Sequence, residues 1–144
     1  MQKITTFLTF NDQALPAAEL YVSIFREGRI TSATPGPGGA VMVVGFELFG
    51  QSFMALNGGP TFSFAEGISL FVNCATQAEI DDYWAKLTAD GGTEGRCGWC
   101  KDKFGVSWQI IPSALPRLLG SPQAVQAMMG MNKLDIAALE AAGR

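Results

Sequence analysis

Trp99-Cys100-Lys101-Asp102-Lys103-Phe104-Gly105-Val106-Ser107-Trp108-Gln109-Ile110-Ile111-Pro112 joins a turn to a strand. Asp102 to Gly105 carries turn chemistry, because Asp can bond its own backbone and Gly can take positive φ. Val106 to Ile111 is a short β-rich run, and Pro112, which lacks a ladder donor, closes it. Such a turn aims one side chain, Gln109, into whatever space the sheet encloses. Its neighbour Trp108 then faces the other side, toward helices. The rest of the chain reads as the wall of that space.

Working back from this run, short strands are expected at about Thr93 to Arg96 and Cys97 to Lys101. They follow a helix that Thr76 and Glu79 open as a capping box and Gly91-Gly92 ends. Ile80, Tyr83, Trp84 and Leu87 lie on one face of that helix, which makes Trp84 a core residue. Gly67 to Cys74 is a strand in which Ile68, Leu70 and Val72 alternate with Gly67, Ser69 and Phe71. The first half shows the same order. Ile4 to Phe10 is a strand, Asp12 caps a helix from about Gln13 to Arg26, and Ala17, Tyr21, Ile24 and Phe25 form its apolar stripe. Arg29 to Thr34, Val41 to Phe49 and Ser52 to Asn57 are strands, the last two forming a hairpin about Gly50-Gln51. Pro35 to Ala40 is a plain connecting loop.

Two βαβββ modules, 1–60 and 61–112, are therefore expected, followed by a helical tail over 113–144. The fold class is α+β. Met128, Met129 and Met131 in the tail form an adaptable apolar cluster suited to a subunit contact.

Composition excludes several functions. The chain has 144 residues, no histidine, three cysteines and a net charge of -3. Without imidazole, Ser-His-Asp, Cys-His and His-rich metal sites are absent from a single chain. The weak negative charge offers no basic field for nucleic acid. No apolar run approaches the roughly 20 residues that span a bilayer, and no signal-peptide pattern opens the chain. Cytoplasmic location is the expectation. Charged residues make up only 16%, below the roughly 25% of typical soluble domains, which points to surface covered by a partner. Cys97-Gly98-Trp99-Cys100 has redox or zinc spacing. It enters a strand and turn instead of a helix, however, and Cys74 is the only other thiol, so buried or incidental cysteines are expected.

Paired βαβββ units ending in this turn and strand resemble the vicinal oxygen chelate superfamily, which includes glyoxalase I, bleomycin-resistance proteins and extradiol dioxygenases. Ile4 to Phe10, Ala55 to Pro60, Cys97 to Trp99, Lys101 to Gly105, Ser107 to Gln109 and Lys133 to Leu139 are similar to its PhnB-like branch. That branch is often labelled 3-demethylubiquinone-9 3-methyltransferase. The resemblance implies a curved glyoxalase-like cup, with metal-ligand positions at Thr5 (or Thr6), Phe53, Gly67 and Gln109. Thr, Phe and Gly are not competent side-chain ligands there, so no metal and no cofactor is expected. The label finds no glycine-rich strand–helix junction either, since Phe10-Asn-Asp-Gln-Ala14 has no glycine.

The expected cavity residues are Thr5, Phe7, Phe53, Asn57, Gly67, Ser69, Phe71 and Gln109. Phe7, Phe53 and Phe71 share the inward parity, and Gln109 and Asn57 are the inward amides that would orient a ligand. The leading function is metal-independent binding of a small apolar or aromatic molecule by a homodimer. An enzyme on a small organic substrate, with Glu47 or Glu66 as acid or base, is the alternative. A structural or regulatory homodimer with a filled cavity is a third.

Overall fold

The computed structural model describes residues 2–144. The chain is mixed α+β and divides into a first unit ending at Ser63 and a second running from Phe64 to Arg144. The first holds β1 (Thr6–Phe10), α1 (Ala14–Ile24), β2 (Arg29–Pro35), β3 (Val41–Leu48) and β4 (Gln51–Asn57). The second holds β5 (Leu70–Cys74), α2 (Gln77–Thr88), β6 (Thr93–Glu94), β7 (Trp99–Lys101) and β8 (Ser107–Pro112). Its tail adds α3 (Leu115–Leu118), α4 (Pro122–Met129) and α5 (Ile136–Ala142). Each unit builds one open four-stranded sheet, ordered β1-β4-β3-β2 and β5-β8-β7-β6. In both, the first strand runs parallel to the fourth and the other pairs are antiparallel. No helix among the described residues is long and apolar enough to cross a membrane.

One face of each sheet is covered by a helix. In the first unit Ala14, Ala17, Ala18, Tyr21 and Ile24 of α1 are buried together with Leu8, Phe10, Val44, Phe46, Phe53 and Ala55. In the second, Ile80, Tyr83, Trp84 and Leu87 of α2 are buried, as are Cys74, Cys100, Trp108 and Ile110. Burying the large apolar side chains among them contributes about 1.5–3 kcal/mol each, which explains why the helical stripes and strand parities agree.

The second helix is capped by its own sequence. Thr76 Oγ1 accepts from the Glu79 N–H at 3.2 Å, while Glu79 Oε1 accepts from the Ala75 N–H at 2.7 Å. The first helix is not. Asp12 makes no cap, and Gln13 at the cap position gives no side-chain bond. Instead Asn57 Oδ1, at the end of β4, accepts from the Ala14 N–H at 2.8 Å.

Other boundaries also shift. The hairpin between β3 and β4 turns at Phe49-Gly50, with φ of 52° and 77°, the two positive values a two-residue type I′ turn requires. β5 begins at Leu70, so Gly67 lies in a turn before it and Ser69 just outside. Cys97 leaves its expected strand for a turn at φ 60°. The tail docks on its own unit. Cys97 and Gly98 donate their N–H groups to Met131 and Asn132 carbonyls, each at 2.8 Å. Gln77 bonds both the Leu134 carbonyl and the Ile136 N–H.

Candidate functional site

Asp102 organises the turn that aims β8. It is only 2% exposed. Its Oδ1 accepts from the Phe104 and Val106 N–H groups at 2.9 and 3.1 Å, and its Oδ2 from Trp108 Nε1 at 2.9 Å. One buried carboxylate thus fixes both the turn and the side of β8 on which Trp108 lies. By the period of two, Ser107 and Gln109 take the opposite, helix-free face.

Cross-strand register sets their neighbours. Trp99 lies opposite Gln109 and Lys101 opposite Ser107 on β7, while Phe71 of β5 lies beside Gln109 on the other flank. Gln109 Nε2 donates to Ser69 Oγ at 2.9 Å. Its Oε1 has no partner among the described residues. Phe71 is 53% exposed, so this face joins aromatic surface to an amide with spare bonding capacity. Beside it lies a cavity of about 300 Å³ lined by Glu66, Thr93, Trp99, Lys101 and Ser107, among others. A second hollow, about 470 Å³, lies in the tail against Arg117, Ser121 and Arg144 and touches none of the expected site residues.

The expected residues divide. Ser69, Phe71 and Gln109 come together. Gly67 stands in the turn before β5 and supplies no wall. In the first unit Phe7 is 53% exposed on the helix-free face, and Thr5 is half-buried just before β1, its Oγ1 3.5 Å from Gln2 Nε2. Phe53 does not share that face. It pairs with Thr6, is 6% exposed, and stacks on Phe46 with centroids 5.3 Å apart in the core. Asn57 is no ligand amide either, because its Oδ1 holds Ala14 and its Nδ2 donates to the Val41 carbonyl at 3.1 Å. The residues missed from sequence are Trp99, Lys101 and Ser107. Stepping two residues back from Gln109 finds Ser107, but the β7 pair emerges only with the register.

Neither carboxylate considered as an acid or base stands alone. Glu47 pairs with Arg29 at 3.1 Å and Glu66 with Lys101 at 2.7 Å. The hydrogen bond and charge of Lys101 hold the Glu66 carboxyl below its ordinary range, away from a base poised near neutrality. Burial pushes the Cys74 and Cys100 thiols up to about 12, with neighbouring carboxylates adding to the effect.

The positions that a chelated metal would use do not form a donor set here. Phe53 is an apolar ring in the core, Gly67 has no side chain, and Thr5 and Gln109 offer neutral oxygens only. Among the described residues, no group of three or more His, Cys, Asp or Glu could hold a metal ion. A nucleotide-like cofactor at the opening of α1 meets the same difficulty, since Asn57 already occupies the Ala14 N–H.

A family model described as 3-demethylubiquinone-9 3-methyltransferase matches residues 2–111. Among solved structures, a PhnB protein from Bacillus cereus, described as a candidate 3-demethylubiquinone-9 3-methyltransferase, is 35% identical with a TM-score of 0.72, over 77% of this chain and 99% of its own. A glyoxalase/bleomycin resistance protein from Albidiferax ferrireducens shares the fold at 14% identity and TM-score 0.53, over 74% of this chain and 93% of its own. So does the fosfomycin resistance protein FosX from Listeria monocytogenes, solved with Mn(II) and dihydroxypropylphosphonic acid, at 14% identity and TM-score 0.57, over 83% and 99%. No curated protein matches the chain.

Proposed function

The chain belongs to the PhnB-like 3-demethylubiquinone-9 3-methyltransferase family of the glyoxalase/bleomycin-resistance superfamily, and on that footing we propose that it binds a small, largely apolar or aromatic molecule without a metal. The helix-free face of the second sheet is the seat of binding, with Gln109 orienting the ligand. The observation that carries this reading is the Gln109 side chain. It is held by Ser69 at 2.9 Å, with Phe71 and Trp99 its register partners on the two flanking strands, and its carbonyl oxygen is unspent. A pocket of apolar walls with a few placed polar groups is the general form of a small-molecule site. A homodimer is part of the proposal, supported by the exposed Phe7, Phe71 and Met129.

Benzamide, an aromatic ring with one amide, is a suitable probe. Titrated into the protein and followed by heteronuclear NMR, it is expected to shift the Gln109 and Ser69 amides and the Trp99 indole. Gln109→Leu is expected to weaken binding about tenfold, the loss of a hydrogen-bonded amide in a desolvated site. Shifts confined to other residues, or an unchanged affinity in Gln109→Leu, would overturn the reading.

The family's description supports a second reading, an enzyme that methylates a small phenol or quinol. Incubation with S-adenosylmethionine and a catechol would then yield methylated product in proportion to protein. The Glu47 and Glu66 ion pairs, which leave neither carboxylate as a free base, favour binding over this chemistry.

A further inference from the structure

We propose that the cavity over Lys101 and Ser107 is a carboxylate subsite, held in the ligand-free chain by the protein's own Glu66, so that the molecule taken up is an aromatic monocarboxylate. The inference deepens the small-molecule reading above and rests on it.

Three observations converge on this cavity. First, Ser107 is 4% exposed, yet its hydroxyl has no hydrogen-bond partner among the described residues. No buried side-chain oxygen among the described residues is left unpaired, so the Ser107 hydroxyl is open to the cavity it lines and has its donor free for a ligand. The register puts it beside Lys101, on the face away from Trp108. Second, the chain already displays what Lys101 accepts, since the Glu66 carboxylate sits 2.7 Å from its Nζ. That carboxylate comes from a turn closed by the Ile68 N–H on the Ala65 carbonyl at 3.2 Å. The pair is solvent-exposed, 41% for the Lys101 side chain and 72% for Glu66. Exposed ion pairs contribute little, so an incoming carboxylate with a second donor on Ser107 replaces Glu66 at small cost. Third, the size fits. A cavity of about 300 Å³ lies at the lower end of ligand pockets, enough for one ring and its acid group. Ser107 and Gln109 stand two residues apart on one strand, roughly 7 Å. A ligand with its carboxylate on Lys101 and Ser107 therefore lays its ring on Trp99 and reaches Gln109 with its far edge. The wall also carries the Glu94 carboxylate, which accepts from Trp84 Nε1 at 2.9 Å, so with Lys101 as the cation that lines it the cavity suits a single negative charge better than a doubly charged phosphate.

Benzoate and its neutral isostere benzamide test the assignment by calorimetry on the full chain. Benzoate is expected to bind at least about tenfold more tightly than benzamide, the advantage of a charge-assisted pair. Lys101→Met and Ser107→Ala are each expected to weaken benzoate more than benzamide and so to remove most of that advantage. Glu66→Gln, which removes the resident competitor, is expected to tighten benzoate by about threefold to tenfold and to leave benzamide alone. Equal binding of the two probes, or a benzoate affinity unmoved by both Glu66→Gln and Lys101→Met, overturns the carboxylate subsite. The Gln109 reading survives that result as long as benzamide still binds and Gln109→Leu still weakens it. Binding of neither probe overturns both.

Discussion

Replacing Asp102 by asparagine tests whether one buried carboxylate holds the turn that presents the site. The asparagine side chain would keep an oxygen for the Phe104 and Val106 N–H groups, now 2.9 and 3.1 Å from Asp102 Oδ1. Its other atom would be an amide nitrogen, set 2.9 Å from Trp108 Nε1, so that two donors face each other where the wild type has a bond. Hydrogen bonds to charged groups contribute about 1.5–3 kcal/mol and an orphaned buried donor costs about 1–3 kcal/mol, partly offset because a buried charge is removed. We expect a net loss of about 2–4 kcal/mol, or a fall in melting temperature on the order of 10 °C for a chain of this size. Trp108→Phe removes the facing donor, so combining it with Asp102→Asn should cost less than the sum of the two by about 1–2 kcal/mol. Urea unfolding by circular dichroism at one fixed protein concentration measures all four species. A loss below about 0.5 kcal/mol for Asp102→Asn, or strict additivity within about 0.3 kcal/mol, would refute the reasoning.

Asn57→Ala removes both the cap on Ala14 and the bond to the Val41 carbonyl. It should lower stability by about 1–3 kcal/mol in the same urea assay, whereas Gln109→Leu should change it little. Gly98→Ala places a Cβ 2.8 Å from Ile111 Cδ1 and 3.0 Å from the Ile110 oxygen at φ 85°. It should loosen the tail, seen as faster hydrogen exchange of the Cys97 amide, and unchanged exchange would contradict that role. At pH 8, iodoacetamide should modify half-exposed Cys97 first and spare buried Cys74 and Cys100 by mass spectrometry. Those two thiols also predict alkaline weakening. Their folded values of about 12 stand above the ordinary 9.0, so the unfolded chain ionises first. Their contribution is whole below pH 9.0 and is lost as pH rises toward about 12. Joint replacement of Cys74 and Cys100 by alanine should flatten stability across that window, and an unchanged slope would refute the assignment.

Element order was legible because turns, caps and helical stripes were locally written. Tyr21, Ile24 and Phe25, or Tyr83, Trp84 and Leu87, lie at helical spacing, and burial followed. The side on which Trp108 lies was legible for the same reason. The face of Phe53 was not, because Phe53-Met54-Ala55-Leu56 is apolar at every position and shows no alternation from which to read a side. Phe49 reads as a strand residue, and only the backbone reveals that it takes positive φ in the turn, its ring 5.6 Å from that of Phe25. At the site, Gln109 and Ser69 were legible from parity along single strands. Lys101 and Trp99 were not, since their place depends on a register across β7 and β8 that no local signal encodes. Asn57 shows the same limit. A polar residue at the end of a strand looks like a ligand contact until the helix it caps, 43 residues away, is placed beside it.

That long-range cap bears on how the chain acquires its structure. α2 carries both halves of its capping box within its own first turn, so it can nucleate from local sequence alone. The opening of α1 is complete only when β4 has arrived. In a refolding experiment, disruption of the Thr76–Glu79 box should slow the folding limb, while Asn57→Ala should act chiefly by hastening unfolding. Two halves with one topology would then have opposite places in the order of events, the second leading and the first closing last.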